Sequence, residues 1–400
     1  MGSYNHSKEC GRATRPVGPA GAERRRRRRG GPALLCLMVL AAFGLAPATA
    51  GAASWPTIPV PIPSLAQPWW SYLPGLGGTT PTPPGGGGTA GSTPVSGTTS
   101  SLPGKAFSGT FTNSSGSLDY RGYVPSTYRS GTAVPLVVAL HGCTESADEF
   151  RQLTRWDALA EAKGFIVVFP QQSSNANSLK CWNFFQPAHM NRDAGEPAVI
   201  AGITHWVQQH YTINARRTYV TGLSAGGAMS SVMAATYPDL YAAAGIGSGC
   251  EYAATAACAG YKSADPTTAG EQAYKAMGQH ARPMPVILFE GDQDTTVPPV
   301  NAQQIVQQWQ VTDDLADDGG HNGSIPVQAT SVRQGSVQGG HSYTVTEYSD
   351  GHGKELLQSW LVHGMGHAWS GGCSCARYAD PAGPDETGAM YAFFMDHPMP

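Results

Sequence analysis

Past residue 50 this 400-residue sequence has no basic stripe, no C-x-x-C pair and no internal repeat, and nowhere does it run apolar for the length of a bilayer. Each absence closes a class of function. The longest apolar stretch, Pro32 to Ala46, is short for a membrane span. It follows the basic block Arg24 to Arg29 and precedes Ala48-Thr49-Ala50, the order of a secretory signal peptide. Residues 1–50 are therefore expected to be a signal peptide, with export and no stable membrane insertion. That segment takes nine of the 25 basic and two of the 28 acidic residues, leaving 16 against 26 and a formal charge of −10. A chain of that charge without a basic stripe is not built to bind nucleic acid.

Metal chemistry is equally poorly supplied. Cys373-Ser374-Cys375 is too isolated for a zinc half-site, so neither metal nor other cofactor is expected. Six cysteines remain after the leader: Cys143, Cys181, Cys250, Cys258, Cys373 and Cys375. An even number in an exported chain favours disulfides, with 15 possible connectivities. Cys143, Cys181, Cys250 and Cys258 are the disulfide candidates.

What is present falls into two parts. Residues 51–103 are rich in Pro, Gly, Thr and Ser, a composition that cannot offset its ordering entropy and reads as a flexible linker. Within it Trp69, Trp70, Tyr72 and Leu73 could form a patch that adsorbs to an insoluble substrate. From residue 104 to 400 the composition is that of a folded domain. "PLVVALHG", "GFIVVFP", "RTYVTG", "LYAAAGIGSG" and "MPVILFEG" read as buried strands. "DEFRQLTRWDALAEAKG" reads as one helix stopped by Gly164; "EPAVIAGITHWVQQH" and "GAMYAFFMDH" are further helices. Alternating strands and helices predict an α/β fold: a mostly parallel sheet with helices on both faces, its reactive groups on loops at the strands' carboxyl ends.

The stretch "YVTGLSAGGAM" (219–229) places Ser224 between glycines where a strand meets a helix, the pattern G-x-S-x-G. A serine hydroxyl needs a base to take its proton and an acid to orient that base. Downstream, "VILFEGDQDTTVPP" runs a strand into an acidic loop, where Asp294 is the expected acid and Asp292 the second choice. "WLVHGMGHAWSGG" then offers His367 as the base in preference to the strand-end His363. The order Ser, Asp, His is that of α/β-hydrolases. The residue after the serine, Ala225, and the loop "LHGCTES", with Cys143, would donate N–H groups to an oxyanion. His141 is expected to brace that loop.

"LHGCTES", "GLSAGGAM", "GDQDTTVPP" and "GMGHAWSGG", in this order over roughly residues 105–396, resemble the poly(3-hydroxybutyrate) depolymerase family of esterases, with its feruloyl and acetylxylan esterase relatives. The resemblance implies an α/β-hydrolase fold and a metal-free serine esterase, with Ser224, Asp294 and His367 at the triad positions and Cys143 and Ala225 at the oxyanion positions. It also implies Trp182, in "CWNFF", as a substrate-binding residue and a Cys143–Cys181 disulfide. Two departures stand out. Glu290 precedes Gly291 where members often have His, and the linker lies in front of the catalytic domain rather than behind it. The expected function is a secreted serine ester hydrolase acting on short-chain polyesters. Alternatives are a feruloyl or acetylxylan esterase acting on plant cell walls, or an adhesion module on a degenerate hydrolase fold.

Overall fold

The computed structural model describes residues 102–255, 258–259 and 265–400. The expected signal peptide, nearly all of the expected linker and the Trp69, Trp70, Tyr72, Leu73 patch lie outside the described residues.

Six strands run parallel at the centre: β3 (Val134–Leu140), β4 (Ile166–Gln171), β5 (Ile213–Leu223), β6 (Ala244–Gly247), β7 (Val286–Gly291) and β10 (Glu355–Val362). Antiparallel strands extend both edges: β1 (Lys105–Asn113) and β2 (Gly116–Val124) on one side, β9 (Ser342–Ser349) and β8 (Ser331–Ser336) on the other. The full order is β1-β2-β4-β3-β5-β6-β7-β10-β9-β8. β3, β6 and most of β4 and β7 are apolar because helices cover both faces. On one face pack α3 (Gly195–His210), α4 (Ala225–Thr236), α5 (Pro266–Met277) and α6 (Val300–Asp318). On the other pack α1 (Ala147–Thr154), α2 (Trp156–Lys163) and α7 (Glu386–Asp396). The edge strands escape a search for apolar runs. β1 alternates exposed and half-buried residues, as a strand with one wet face must.

The single helix expected before Gly164 is two. Arg155 adopts a left-handed conformation (φ 56°) that ends α1 and begins α2. Phe150, Leu153, Trp156, Leu159 and Ala160 are all buried on either side of the break, so the apolar spacing runs through it unmarked. Arg151 spans the break to Asp157. The turn lets Trp156 enter the core against Phe165 and Phe394. Full burial of such a ring is worth roughly 1.5–3 kcal/mol or more, ample to offset a positive φ at one non-glycine residue.

The carboxyl ends of β3, β5 and β7, and the loop after β10, meet at one edge of the sheet. There the loop 141–146, Ser224, Asp294 and His367 come together.

Candidate active site

Ser224 lies between β5 and α4 with φ 58° and ψ −121°, a conformation few side-chain-bearing residues adopt. Its N–H donates to Gly247 O at 2.8 Å, and its own carbonyl accepts from Ala228 N at 2.9 Å. The flanking glycines follow from close backbone approach. A Cβ on Gly226 would lie 2.0 Å from Leu140 O, and one on Gly222 would lie 2.5 Å from Gly226 O and 2.6 Å from Leu140 O. The obstacles are main-chain atoms that cannot swing aside, so only Gly fits at either position. The hydroxyl is thereby lifted over the sheet edge. Ala225 opens α4, and amides of a first helical turn have no acceptor within the helix.

The two acidic candidates each pair with a histidine, in different surroundings. Asp294 is buried; its Oδ2 lies 2.6 Å from His367 Nδ1, and its Oδ1 accepts from the Thr296 and Val297 N–H groups at 2.7 and 2.8 Å. Asp292 is partly exposed, with Oδ2 3.0 Å from His363 Nδ1 and Oδ1 accepting from Gly364 N at 2.7 Å. Burial alone would raise the Asp292 carboxyl, but the Gly364 N–H and the His363 and Gln293 side chains outweigh it and hold its pKa below the ordinary value. His363 uses its other ring nitrogen on Thr344 Oγ1, 2.9 Å away. Asp292 faces a separate groove of about 700 Å³, whereas His367 shares a cavity with Ser224.

The loop after β3 is tied down on all sides. Cys143 and Cys181 form a disulfide, as do Cys250 and Cys258. His141 is fully buried, with Nδ1 2.7 Å from Gly142 O and Nε2 accepting the Gln172 N–H at 3.0 Å. Burial pushes its pKa down to about 4, so the ring is neutral. Glu145 accepts the Gly142 N–H at 2.8 Å, and burial raises its pKa to about 7. The Thr144 and Glu145 N–H groups bond to Leu179 O and Gly142 O. Among the four amides from Gly142 to Glu145, that of Cys143 is the one not engaged by these bonds.

Trp182 corrects the expectation placed on it. Its ring is fully buried, does not line the Ser224 cavity, and donates its indole N–H to His141 O at 3.0 Å. A buried indole needs such an acceptor, and here the acceptor is the main chain of the loop that Trp182 supports. Two residues on, Phe184 has no polar atom to satisfy and reaches the cavity wall instead.

The cavity holds about 510 Å³. Cys143, Ser224, Ala225 and His367 line it together, with Phe184, Leu223, Val297 and Tyr378 as much of its apolar wall. Asp294 stands behind His367, out of the cavity. Sequence reasoning missed Phe184, Glu145, Arg377 and Tyr378 in this lining. Phe184 stood in the quoted "CWNFF" segment, but nothing in the sequence says that the chain after His367 folds back. It does so through Cys373–Cys375, a third disulfide, and the short pairing of β11 (Trp369–Ser370) with β12 (Ala379–Asp380). Tyr378 Oη then sits 3.1 Å from Thr144 Oγ1, and the Arg377 guanidinium lies 5.2 Å from the Tyr378 ring centre. Among the described residues no group of three or more His, Cys, Asp or Glu could hold a metal ion, and no helix is long and apolar enough to cross a membrane.

Residues 118–326 match the family described as Esterase PHB depolymerase. Over 303 residues the chain is 33% identical to the poly(3-hydroxyalkanoate) depolymerase C of Paucimonas lemoignei, covering 72% of this chain and 65% of that protein. It is also 33% identical over 211 residues to the acetylxylan esterase A of Talaromyces purpureogenus, covering 49% of this chain and 54% of the relative. The chain thus spans less than two thirds of the length of either curated relative. Among solved structures, the acetyl xylan esterase from Aspergillus awamori superposes with a TM-score of 0.53 at 25% identity, covering 66% of this chain and 94% of that one. The fold is that of an α/β-hydrolase.

Proposed function

We propose that this chain, which belongs to the esterase PHB depolymerase family, is a serine ester hydrolase that works through an acyl-enzyme. The carrying observation is the pairing of buried Asp294 with His367 at 2.6 Å on the cavity that also holds Ser224. In this reading Asp294 accepts the Nδ1–H of His367 and leaves Nε2 free to take the Ser224 proton. The Ser224 oxygen then attacks the ester carbonyl. The N–H groups of Ala225 and Cys143 receive the developing oxyanion. His367 returns the proton to the departing alcohol, and water, activated by the same imidazole, releases the acid.

The substrate we favour is a short-chain polyester of the poly(3-hydroxybutyrate) kind. Supporting it are the apolar walls supplied by Phe184, Leu223 and Val297 and the similarity to a poly(3-hydroxyalkanoate) depolymerase. The second reading, an acetyl or feruloyl esterase acting on plant-wall polysaccharide, draws on the acetylxylan esterase relatives. Three disulfides fit an oxidising compartment, and with residues 1–50 read as a leader they support secretion. Residues 51–103 are read as a tether, and residues 104–400 as the catalytic domain.

Purified protein assayed at equal concentration on a poly(3-hydroxybutyrate) suspension, methyl ferulate and acetylated xylan tests the substrate. Clearing of the suspension is expected. Release of ferulate or acetate without clearing would replace the polyester reading by the second one. Deleting residues 55–76 should weaken clearing and spare p-nitrophenyl butyrate hydrolysis; unchanged clearing would remove the aromatic patch from the account.

A further inference from the structure

Arg377 stands in the cavity wall with no part in the mechanism above. It is the one Lys or Arg among the described residues lining the cavity, in a chain that is acidic past residue 50. The residue is exposed, and its guanidinium carbon lies 5.2 Å from the Tyr378 ring centre. Among the described residues no carboxylate pairs with it. Asp380, three residues on, is taken by His341 and the Ala382 N–H, and Glu145 by the Gly142 N–H. A guanidinium keeps its charge and offers a planar fork of N–H donors that matches a carboxylate.

The segment that carries Arg377 is held in place beside the catalytic base. The Trp369 N–H donates to Tyr378 O at 2.7 Å, and the Cys373 N–H donates to Leu153 O at 2.9 Å. Tyr378 Oη lies 3.1 Å from Thr144 Oγ1 on the loop after β3, and the Tyr378 ring centre lies 6.5 Å from that of His367. One tyrosine ring thus stands between the cation and the imidazole. That placement matters because a poly(3-hydroxyacid) chain has a direction. When one of its esters is cut, the acyl part keeps the hydroxyl end and the departing alcohol keeps the carboxyl end. His367 hands its proton to that alcohol, so the departing part lies beside His367 and its carboxyl end runs on past it.

We propose that Arg377 is a specificity-determining residue that binds the terminal carboxylate of the departing part. The enzyme then prefers esters near the carboxyl end of a chain, with the Tyr378 ring as the apolar surface under the intervening carbons. Every cut in a polyester creates a new carboxyl end, so released oligomers become better substrates than the neutral interior of the polymer. The proposal rests on the polyester reading of the substrate.

The experiment compares wild type, Arg377→Gln and Arg377→Lys on the 3-hydroxybutyrate trimer as its free acid and as the same trimer capped by a neutral amide. The quantity read is the ratio of kcat/KM for acid over amide at neutral pH and low salt. A general loss of activity or of stability leaves that ratio unmoved. An exposed guanidinium–carboxylate pair should set the wild-type ratio at about fivefold. Arg377→Gln should bring it to about one, and Arg377→Lys should fall between. The wild-type ratio should also shrink as salt rises from about 0.02 to about 0.5 M. Equal ratios in wild type and a folded Arg377→Gln variant would overturn the proposal. So would a wild-type ratio of one or below, or one indifferent to salt. Should Arg377→Gln fail to fold, the Lys variant and the salt series still decide. Trimer cleaved without preference removes the carboxylate reading alone. Hydrolysis of p-nitrophenyl butyrate with neither trimer cleaved would remove the polyester reading, and the role of Arg377 with it.

Discussion

Replacing Asp294 and Asp292 separately by Asn distinguishes a working acid from a structural one. Asp294 Oδ1 is held by the Thr296 and Val297 amides, and Oδ2 faces His367 Nδ1. An Asn at this position keeps its single carbonyl oxygen on those two backbone donors and so turns its NH₂ towards Nδ1. The imidazole must then carry its proton on Nε2, the nitrogen meant to receive the serine proton. A wrong tautomer of this kind lowers kcat by about 10⁴ in serine hydrolases, equivalent to about 5 kcal/mol of transition-state stabilisation. Asp292→Asn loosens a pair whose side chains are 29% and 38% exposed and which faces another groove. Such pairs contribute about 0–1 kcal/mol to stability, and kcat/KM should change less than about threefold. The assay is steady-state hydrolysis of p-nitrophenyl butyrate at neutral pH, with thermal melts to show that both variants fold. If Asp292→Asn is the more damaging to kcat, the reasoning is wrong.

Three further outcomes follow from the same geometry. The Cys143–Cys181 bridge closes a span of 38 residues, and its loss should cost about 3–4 kcal/mol on the chain-entropy account; reduction should lower the melting temperature and activity together, and non-reducing peptide mapping that finds Cys143 as a free thiol would end the argument. Gly226→Ala, which drives a Cβ to 2.0 Å from Leu140 O, should destabilise by about 1–3 kcal/mol or more and remove most activity; a variant that melts and turns over like wild type would contradict the close approach described here. Glu145, with its folded pKa raised to about 7 from an ordinary 4.5, binds a proton in the folded state that the unfolded chain gives up, so it destabilises progressively as pH rises through that window, by about 3 kcal/mol in all. Glu145→Gln should therefore gain stability over wild type as pH climbs from about 4.5 to 7, as read by urea titration; His141, common to both proteins, cancels, and a constant difference across pH would refute the buried-acid reading.

The parallel core was legible in the sequence because strands covered on both faces carry unbroken apolar runs, as in "PLVVAL" and "VILF". The Ser224 turn was legible because its glycines answer to main-chain crowding, which tolerates no substitute. What stayed hidden depends on contacts distant in sequence. The apolar phase of 150–160 passes through the Arg155 break without a fault. Trp182 and Phe184 stand two residues apart in one aromatic segment, and only the position of His141 O decides which turns inward. Arg377 and Tyr378 reach the cavity through a fold-back that local pattern does not encode. Glu290 in sequence was an unusual residue before Gly291; its burial near the end of β7 becomes visible only once the sheet is folded.

The account's central claim is that Ser224 is the nucleophile, and active-site labelling measures it most directly. Wild-type protein treated with a fluorophosphonate should gain one adduct, located by mass spectrometry on the peptide that contains Ser224. Ser224→Ala, folded by its thermal melt, should take up no label and lose on the order of 10⁶ in kcat. An adduct on another residue, or ester hydrolysis that survives Ser224→Ala, would contradict it.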